Sequence, residues 1–272
     1  MRGILRKMAV ELTDPVSYWM RIGDDEIKLN DYIGKEISLG YKSNIHCVQC
    51  GCPTKKSYQQ GHCFLCMRRI NECDNCMLHP ERCHVEDGTC AHDDWAHDHC
   101  HQEHIVYLAN SSGLKVGITR HTHVPSRWID QGASFALPIF EVKNRRQAGL
   151  VEVAFKKYVN DKTNWRVMLR NEVPDIDMHK ERERLFSEAR ADLDKVIKSY
   201  DPGVIQEIPD PQLVTINYPV LNYPTKVSSL SLDKTPTIQG TLQGIKGQYL
   251  IFENGVLNVR KFGGYEVEFN TF

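Results

Sequence analysis

The sequence predicts an α+β protein built around bound metal, and three observations predict it. All ten cysteines and nine of the twelve histidines lie between His46 and His104. Both ends of the chain alternate apolar and polar residues at the period of two that belongs to strands. One long amphipathic helix, within PDIDMHKERERLFSEARADLDKVIKSYDPG, lies between them. The expected architecture is a zinc-ribbon-like Cys/His cluster, a β-β-α-β-α core, and small β units at both termini.

Residues 1–45 are expected as an N-terminal β unit. SYWMRI, EIKLN and KEISLGY alternate or run apolar, and Gly23, Asp24 and Asp25 mark a tight turn. The opening MRGILRKMAVEL has neither a long apolar stretch nor a small-residue cleavage site, so it does not read as a signal peptide. No segment approaches the roughly 20 apolar residues of a membrane span. A cytoplasmic protein with reduced thiols and no membrane partner is expected.

Residues 46–104 are expected as the metal-binding region. Cys47, Cys50, Cys63 and Cys66 form C-x2-C-x12-C-x2-C, a spacing that brings four thiolates round one tetrahedral Zn2+. Cys52 is left over as a spare buried thiol or an alternative ligand. Cys73 and Cys76 form another C-x2-C and anchor at least one further zinc, with one to three ions in all. Cys83, His84, Cys90, Cys100 and His104 are the candidates to complete it, and the spacing does not choose among them. His92, His97, His99 and His101 crowd the same stretch as solvated or supporting groups. A disulfide framework is disfavoured, because 272 residues can bury a core without staples. Redox chemistry ranks below structural metal, since a thioredoxin-like C-x2-C follows a strand and opens a helix. Hydrolysis at zinc is disfavoured because four thiolates leave no position for water.

A net charge of −1 excludes a globally basic nucleic-acid binder, but the charge is unevenly spread. Residues 73–104 set one arginine against eight acids, whereas residues 105–172 set eleven lysines and arginines against five. Lys143, Arg145, Arg146, Lys156, Lys157, Lys162, Arg166 and Arg170 are interleaved there with Tyr158 and Trp165. Basic side chains displace phosphate counterions and exposed aromatics stack bases, so nucleic acid (DNA or RNA) is the expected partner. A solvated helix face over core aromatics would have the same composition.

Within residues 105–172, HIVYLANSSGLKVGITR reads as a hairpin, with strands at Ile105–Leu108 and Leu114–Ile118 around the turn NSSG. PSRWIDQGA, the strand FALPIFEV and a helix from about Gln147 to Val159 follow. This β-β-α-β-α order, with Ile105–Tyr107 as a first motif and Lys115–Gly117 as a second, resembles the GIY-YIG nuclease superfamily. The KVG form is similar to branches of that superfamily that carry K-I-G. The resemblance covers roughly residues 104–172 and implies a catalytic set of Tyr107, Lys115, Arg127 and Glu152. It implies that Glu152 holds Mg2+ or Mn2+ and that Tyr107 positions or deprotonates the attacking water. Arg127 would grip the scissile phosphate, and Lys115 would add a second positive charge. Asn160 and Asn164 are candidates for the asparagine often found near the end of such domains. Taken singly, these residues have plainer roles: Tyr107 a strand aromatic, Arg127 a partner of Trp128 or Asp130, Glu152 an i,i+4 partner of Lys156. The whole chain is also similar to an uncharacterised bacterial family, a domain of unknown function with the zinc cluster and the phrases VYLANSSGLKVGITR and RWIDQGA.

Residues 173–232 are expected as a helix and a strap. Leu185, Ala189, Leu193, Val196 and Ile197 share one helix face, Pro174 precedes the helix, and Pro202 and Gly203 stop it. EIPDPQLVTINYPVLNYPT carries four prolines and predicts an extended connector. Residues 233–272 read as a C-terminal β unit through TIQGTLQGIKG, QYLIFENG, VLNVRKFGG and YEVEF. The two ends resemble each other: Ile27, Leu29, Tyr32, Gly34, Ile37 and Leu39 match Leu257, Val259, Phe262, Gly264, Val267 and Phe269 at one constant offset. The expected function is that of a nucleic-acid-directed zinc protein, with divalent-metal-dependent phosphodiesterase activity as the favoured mechanism. The alternatives are a non-catalytic nucleic-acid-binding module and a protein-interaction scaffold. Oligomeric state has no signature in the sequence.

Overall fold

A computed structural model describes residues 1–69, 75–90, 92–159 and 163–272. Cys73, Asn160 and Lys162, all singled out above, lie outside the described residues. The N-terminal strands are β1 (Arg2–Glu11), β2 (Ser17–Ile22), β3 (Asp25–Lys28) and β4 (Glu36–Ile45), with a 3-10 turn at Leu29–Tyr32. The cysteine-rich region contributes α1 (Phe64–Met67), a 3-10 turn at Pro80–Arg82 and α2 (Asp93–His99). Then come β5 (His104–Asn110), β6 (Leu114–Arg120), α3 (Ser126–Asp130), β7 (Phe135–Val142), α4 (Arg145–Lys156), α5 (Trp165–Leu169) and α6 (Met178–Lys198). The chain finishes with β8 (Ile205–Glu207), β9 (Val214–Thr215), β10 (Thr237–Lys246), β11 (Tyr249–Phe252), β12 (Gly255–Asn258), a 3-10 turn at Val259–Phe262 and β13 (Tyr265–Thr271). The result is mixed α+β with antiparallel sheets.

The first sheet has eight strands in the order β12-β11-β10-β4-β13-β1-β2-β3. Four come from each end of the chain, and each end gives its last strand to the other: β4 pairs with β10, and β13 pairs with β1. β4 and β13 meet at the centre, with Leu39 opposite Phe269. The positions matched by the repeat fall on the same parts of both ends: strand, 3-10 turn, glycine, strand. Gly34 and Gly264 both take positive φ (82° and 89°), where a side chain would be strained. Their amides make crossed bonds, Gly34 N–H donating to Leu242 O of β10 and Gly264 N–H to Leu5 O of β1. The core between them contains Leu29, Ile37, Leu39, Val259, Phe262 and Val267, all buried. β1 was not singled out by alternation, and the reason is local. A register shift between Arg6 and Ala9 breaks the period of two, so its buried Leu5 and Met8 are three residues apart.

The second sheet runs β6-β5-β7-β8, with β9 also on β7. Its middle strand β5 is buried along its whole length. Ile105, Tyr107 and Ala109 join the core of the eight-stranded sheet, whereas Val106 and Leu108 pack with α4 and α6 on the other face. α4 begins at Arg145, earlier than periodicity predicts, because Asn144 and Gln147 form a capping box. α6 buries Leu185, Ala189 and Leu193 and is capped by Asp177, whose side chain accepts from the His179 and Lys180 amides. The proline-rich segment bonds to both sheets: Ile216 N–H donates to Ser134 O, and Ile245 N–H donates to Pro219 O.

Candidate functional site

Cys47, Cys50, Cys63 and Cys66 converge, with their sulfur atoms all within 4.8 Å of one another. Cys50 and Cys63 sulfurs are 3.9 Å apart, close to the ~3.8 Å edge of a tetrahedron with Zn–S bonds of about 2.3 Å. Two tight turns deliver the pairs. Gly51 N–H donates to Cys47 O after the first, and Cys63 caps α1 with its sulfur accepting from the Cys66 amide. Burial raises the Cys47 thiol, but the amides of Cys50, Cys63 and Gln49 more than offset this and bring it down to about 6. Amide-stabilised thiolates at this spacing fit a soft divalent ion, so the cluster can hold a metal such as zinc. Cys52 is exposed and lies outside the quartet.

A second polar cluster is built where β5, β6 and α3 meet. The Gln131 amide oxygen accepts from the Tyr107 hydroxyl at 3.1 Å and from Lys115 Nζ at 2.8 Å. Lys115 also donates to Thr163 Oγ1 at 3.1 Å. Tyr107 lies opposite Gly117 on the neighbouring strand, and a Cβ there would come within 2.9 Å of the Tyr107 ring and hydroxyl. Glycine at 117 is therefore a condition for the ring's position. Burial pushes Tyr107 up to about 12, against the opposing pull of the Arg127 guanidinium beside it. Burial, with Arg127 adding to it, brings Lys115 down to about 8. Arg260, from the turn before β13, is lowered first by burial and then by the same Arg127. Arg127 thus acts on two further cations, Lys115 from β6 and Arg260 from the turn before β13. Asp130, the carboxylate that opposes this charge at Arg260, is already ion-paired with Lys7 and bonded by Gln248 Nε2 at 2.9 Å.

A family model described as "Protein of unknown function (DUF2797)" matches residues 34–267. The chain belongs to this family. Neither the curated proteins nor the solved structures compared with it gave a match. The DUF2797 match takes in the cysteine quartet and Tyr107, Lys115, Arg127, Gln131, Thr163 and Arg260.

In this DUF2797 chain, Glu152 does not join Tyr107, Lys115 and Arg127 in one hydrogen-bonded group. Glu152 bonds to Lys156 at 3.2 Å, one turn along α4, while its charge still reaches Tyr107 and adds to the rise of that phenol. Burial raises the Glu152 carboxyl, Lys156 pulls it down, and Glu81 pushes it up again. Glu81 has one carboxylate oxygen, Oε2, buried without a partner. Asn164 is spent on capping α5, its side chain accepting from the Arg166 and Val167 amides.

The basic residues expected to face nucleic acid are largely held by neighbours. Lys143 pairs with Glu103 at 2.7 Å, and Arg146 pairs with Asp87 at 2.6 Å and Glu86 at 3.7 Å. Arg145 donates to Met77 O at 3.0 Å, and the Arg166 guanidinium lies 4.2 Å from the centre of the Trp165 ring. The physical reason is the charge asymmetry itself: the acidic cysteine-rich region docks on the basic end of α4. In that region Cys83 and Cys100 are buried side by side, and their contact brings the Cys83 thiol down to about 6. Cys90 packs against them. His84 faces Thr89, with Nδ1 3.3 Å from its hydroxyl. His104 is wholly buried on β5 with Nδ1 donating to Gln102 O at 2.7 Å, and burial lowers it to about 4. Among the described residues, the quartet alone has three or more ligand atoms within metal-binding reach.

Gln131, Thr163, Arg260 and Glu81 were not among the residues expected from sequence. Gln131 had a signal: it stands four residues after Arg127 in RWIDQGA, one helical turn along the same face. Arg260 had none, because only the exchange of terminal strands carries it to α3.

Proposed function

We propose that this DUF2797 chain is a nucleic-acid-directed zinc protein whose β5–β6–α3–β7–α4 unit has the GIY-YIG arrangement and receives a phosphodiester group. The observation that carries the reading is the meeting of Lys115, Arg127 and Arg260 beside Tyr107 and Gln131. Cations held together without an equal number of carboxylates favour an incoming oxyanion, and Arg presents a planar fork that matches phosphate oxygens. The strand and helix order, the glycine that seats Tyr107, and Arg127 on α3 all support the same superfamily. The cysteine quartet serves as a zinc-held scaffold, and a second ion on Cys83 and Cys100, with Cys76 nearby, belongs to the same reading.

A second reading, metal-dependent hydrolysis, is favoured by one further observation. Glu81 raises the Glu152 carboxyl, and Glu81 Oε2 has no hydrogen-bond partner among the described residues. Two such carboxylates suit a hard ion such as Mg2+ or Mn2+, which would stabilise charge on a leaving oxygen. Tyr107, buried and raised to about 12, serves in this reading by orienting Gln131 and Lys115. Binding of labelled DNA and RNA at low salt tests the first reading. Lys115→Met, Arg127→Met and Arg260→Met should each weaken affinity by about tenfold and flatten its salt dependence. Wild-type protein that binds neither nucleic acid at low salt would refute it. Cleavage with Mg2+ or Mn2+ that Glu152→Gln abolishes supports hydrolysis, whereas binding without cleavage in either metal leaves recognition alone.

A further inference from the structure

Lys246, the last residue of β10, has no exposed surface. Its ammonium donates to Asn171 Oδ1 at 2.7 Å and lies 3.5 Å from Ser134 Oγ, both neutral. The rings of Tyr218 and Tyr223 lie over it, with centres 5.1 and 5.5 Å away. Among the described residues no carboxylate perturbs it: burial brings its ionisation down to about 8. A buried cation without a counter-charge is costly, and two ring faces and two neutral acceptors offset only part of that cost.

The same four neighbours, Ser134, Asn171, Tyr218 and Tyr223, line an open cavity of about 280 Å3. Thr215 and Asn217, the latter donating to Asp14 Oδ1 at 3.0 Å, add further neutral polar wall, and no charged side chain among the described residues lines it. Asn171 takes a left-handed backbone (φ 58°) just past the end of α5, a helix-ending position where asparagine is favoured after glycine. Because its oxygen accepts from Lys246, its amide N–H2 remains to donate. A neutral, donor-rich hollow with one uncompensated positive charge behind its wall has the chemistry of an oxyanion pocket.

We propose that this hollow between the two sheets is a binding site for a phosphate group, with Lys246 as the counter-charge and Ser134, Asn171 and Tyr223 as the donors that select oxygen. It is separate from the Lys115–Arg127–Arg260 locality and does not rest on the function proposed there. The phosphate can be free or can end a nucleotide chain, and the hydroxyl and amide donors serve either source.

The test uses the full chain with lysines labelled by 15N, titrated with inorganic phosphate at constant ionic strength and with chloride as control. Phosphate should shift the Lys246 ammonium resonance and raise its ionisation above about 8, because a bound anion favours the charged form. Asn171→Asp places a carboxylate where the acceptor now stands, supplies the missing charge from within, and should weaken phosphate binding by about tenfold or more. Lys246→Met should do the same while filling the same volume. A 5′-phosphorylated oligonucleotide that competes where its unphosphorylated counterpart does not would identify a chain end as the source; inorganic phosphate alone would identify the free ion. Lys115→Met should keep the phosphate response while weakening nucleic-acid binding, which separates the two sites. A Lys246 resonance indifferent to phosphate in wild-type protein, or Asn171→Asp that binds as wild type does, would overturn the proposal.

Discussion

Lys246 and Lys115 are both held well below the 10.5 of an ordinary lysine, each near 8, and burial is the leading cause at both. The consequence for stability has a definite sign. Between about pH 8 and 10.5 the unfolded chain binds protons that the folded chain has released, so folding becomes more favourable as pH rises. Below pH 8 both states are protonated and the cost of the buried charge is present in full. Tyr218 and Tyr223, the titratable groups facing Lys246, are themselves raised above the ordinary tyrosine range by burial. Wild-type protein should therefore gain stability relative to Lys246→Met from pH 8 to 10, by at most on the order of 3 kcal/mol. Urea titrations at a series of pH values check this, and a difference that stays flat or narrows in the opposite sense contradicts it.

At the scale of elements, α4 is where the acidic and basic halves of the middle of the chain are joined. Its capping box sets the first turn, and the same two residues reach across: Asn144 Nδ2 and Gln147 Nε2 each donate to Glu86 Oε1 at 2.8 Å. Asn144→Ala loses both the cap and that link and should cost about 1–2 kcal/mol, with Asn144→Ser recovering part of it through the cap alone. Chemical denaturation of the three proteins measures the difference; equal stability of Asn144→Ala and wild type would mean the helix start is set elsewhere. Much of this was open to reading in advance. The hairpin of β5 and β6, the strand β7 and the amphipathic α6 all follow from periodicity and turn residues. Periodicity alone places the start of α4 near Gln147, and the capping box brings it forward to Arg145. Pairing of Lys143 and Arg146 with Glu103, Glu86 and Asp87 followed from no local pattern, since charges of opposite sign were legible but their docking was not.

Over the whole molecule, the exchange of terminal strands ties both ends into one sheet, and that sheet shares its core with Tyr107, Trp128 and Ile129 from the middle of the chain. Damage at either end should therefore be felt everywhere. Leu29→Ala, in the first unit, should cost about 2–5 kcal/mol and Phe262→Ala, in the second, about 3–5 kcal/mol, both side chains being fully buried. Each should lower one shared unfolding transition, and amide exchange should accelerate together at both ends. An end that melts by itself while the other keeps its protection would contradict a single cooperative sheet.

The sequence by itself determined the four-cysteine cluster that could hold a metal, the class of each long element and the strand-turn-strand likeness of the two ends. These are properties of spacing along the chain: C-x2-C turns, periods of 2 and 3.6, glycines where φ is positive. Only the tertiary structure decided which groups share a locality. It carried Arg260 to Arg127, set Glu152 beside Lys156 and Glu81 within electrostatic reach of Tyr107, and closed Lys246 among neutral partners. Alternation along β5 assigns neighbours to opposite faces, but which face meets which layer depends on strands from the other end of the chain. Such contacts are settled by packing across long sequence separations, and no local pattern encodes them.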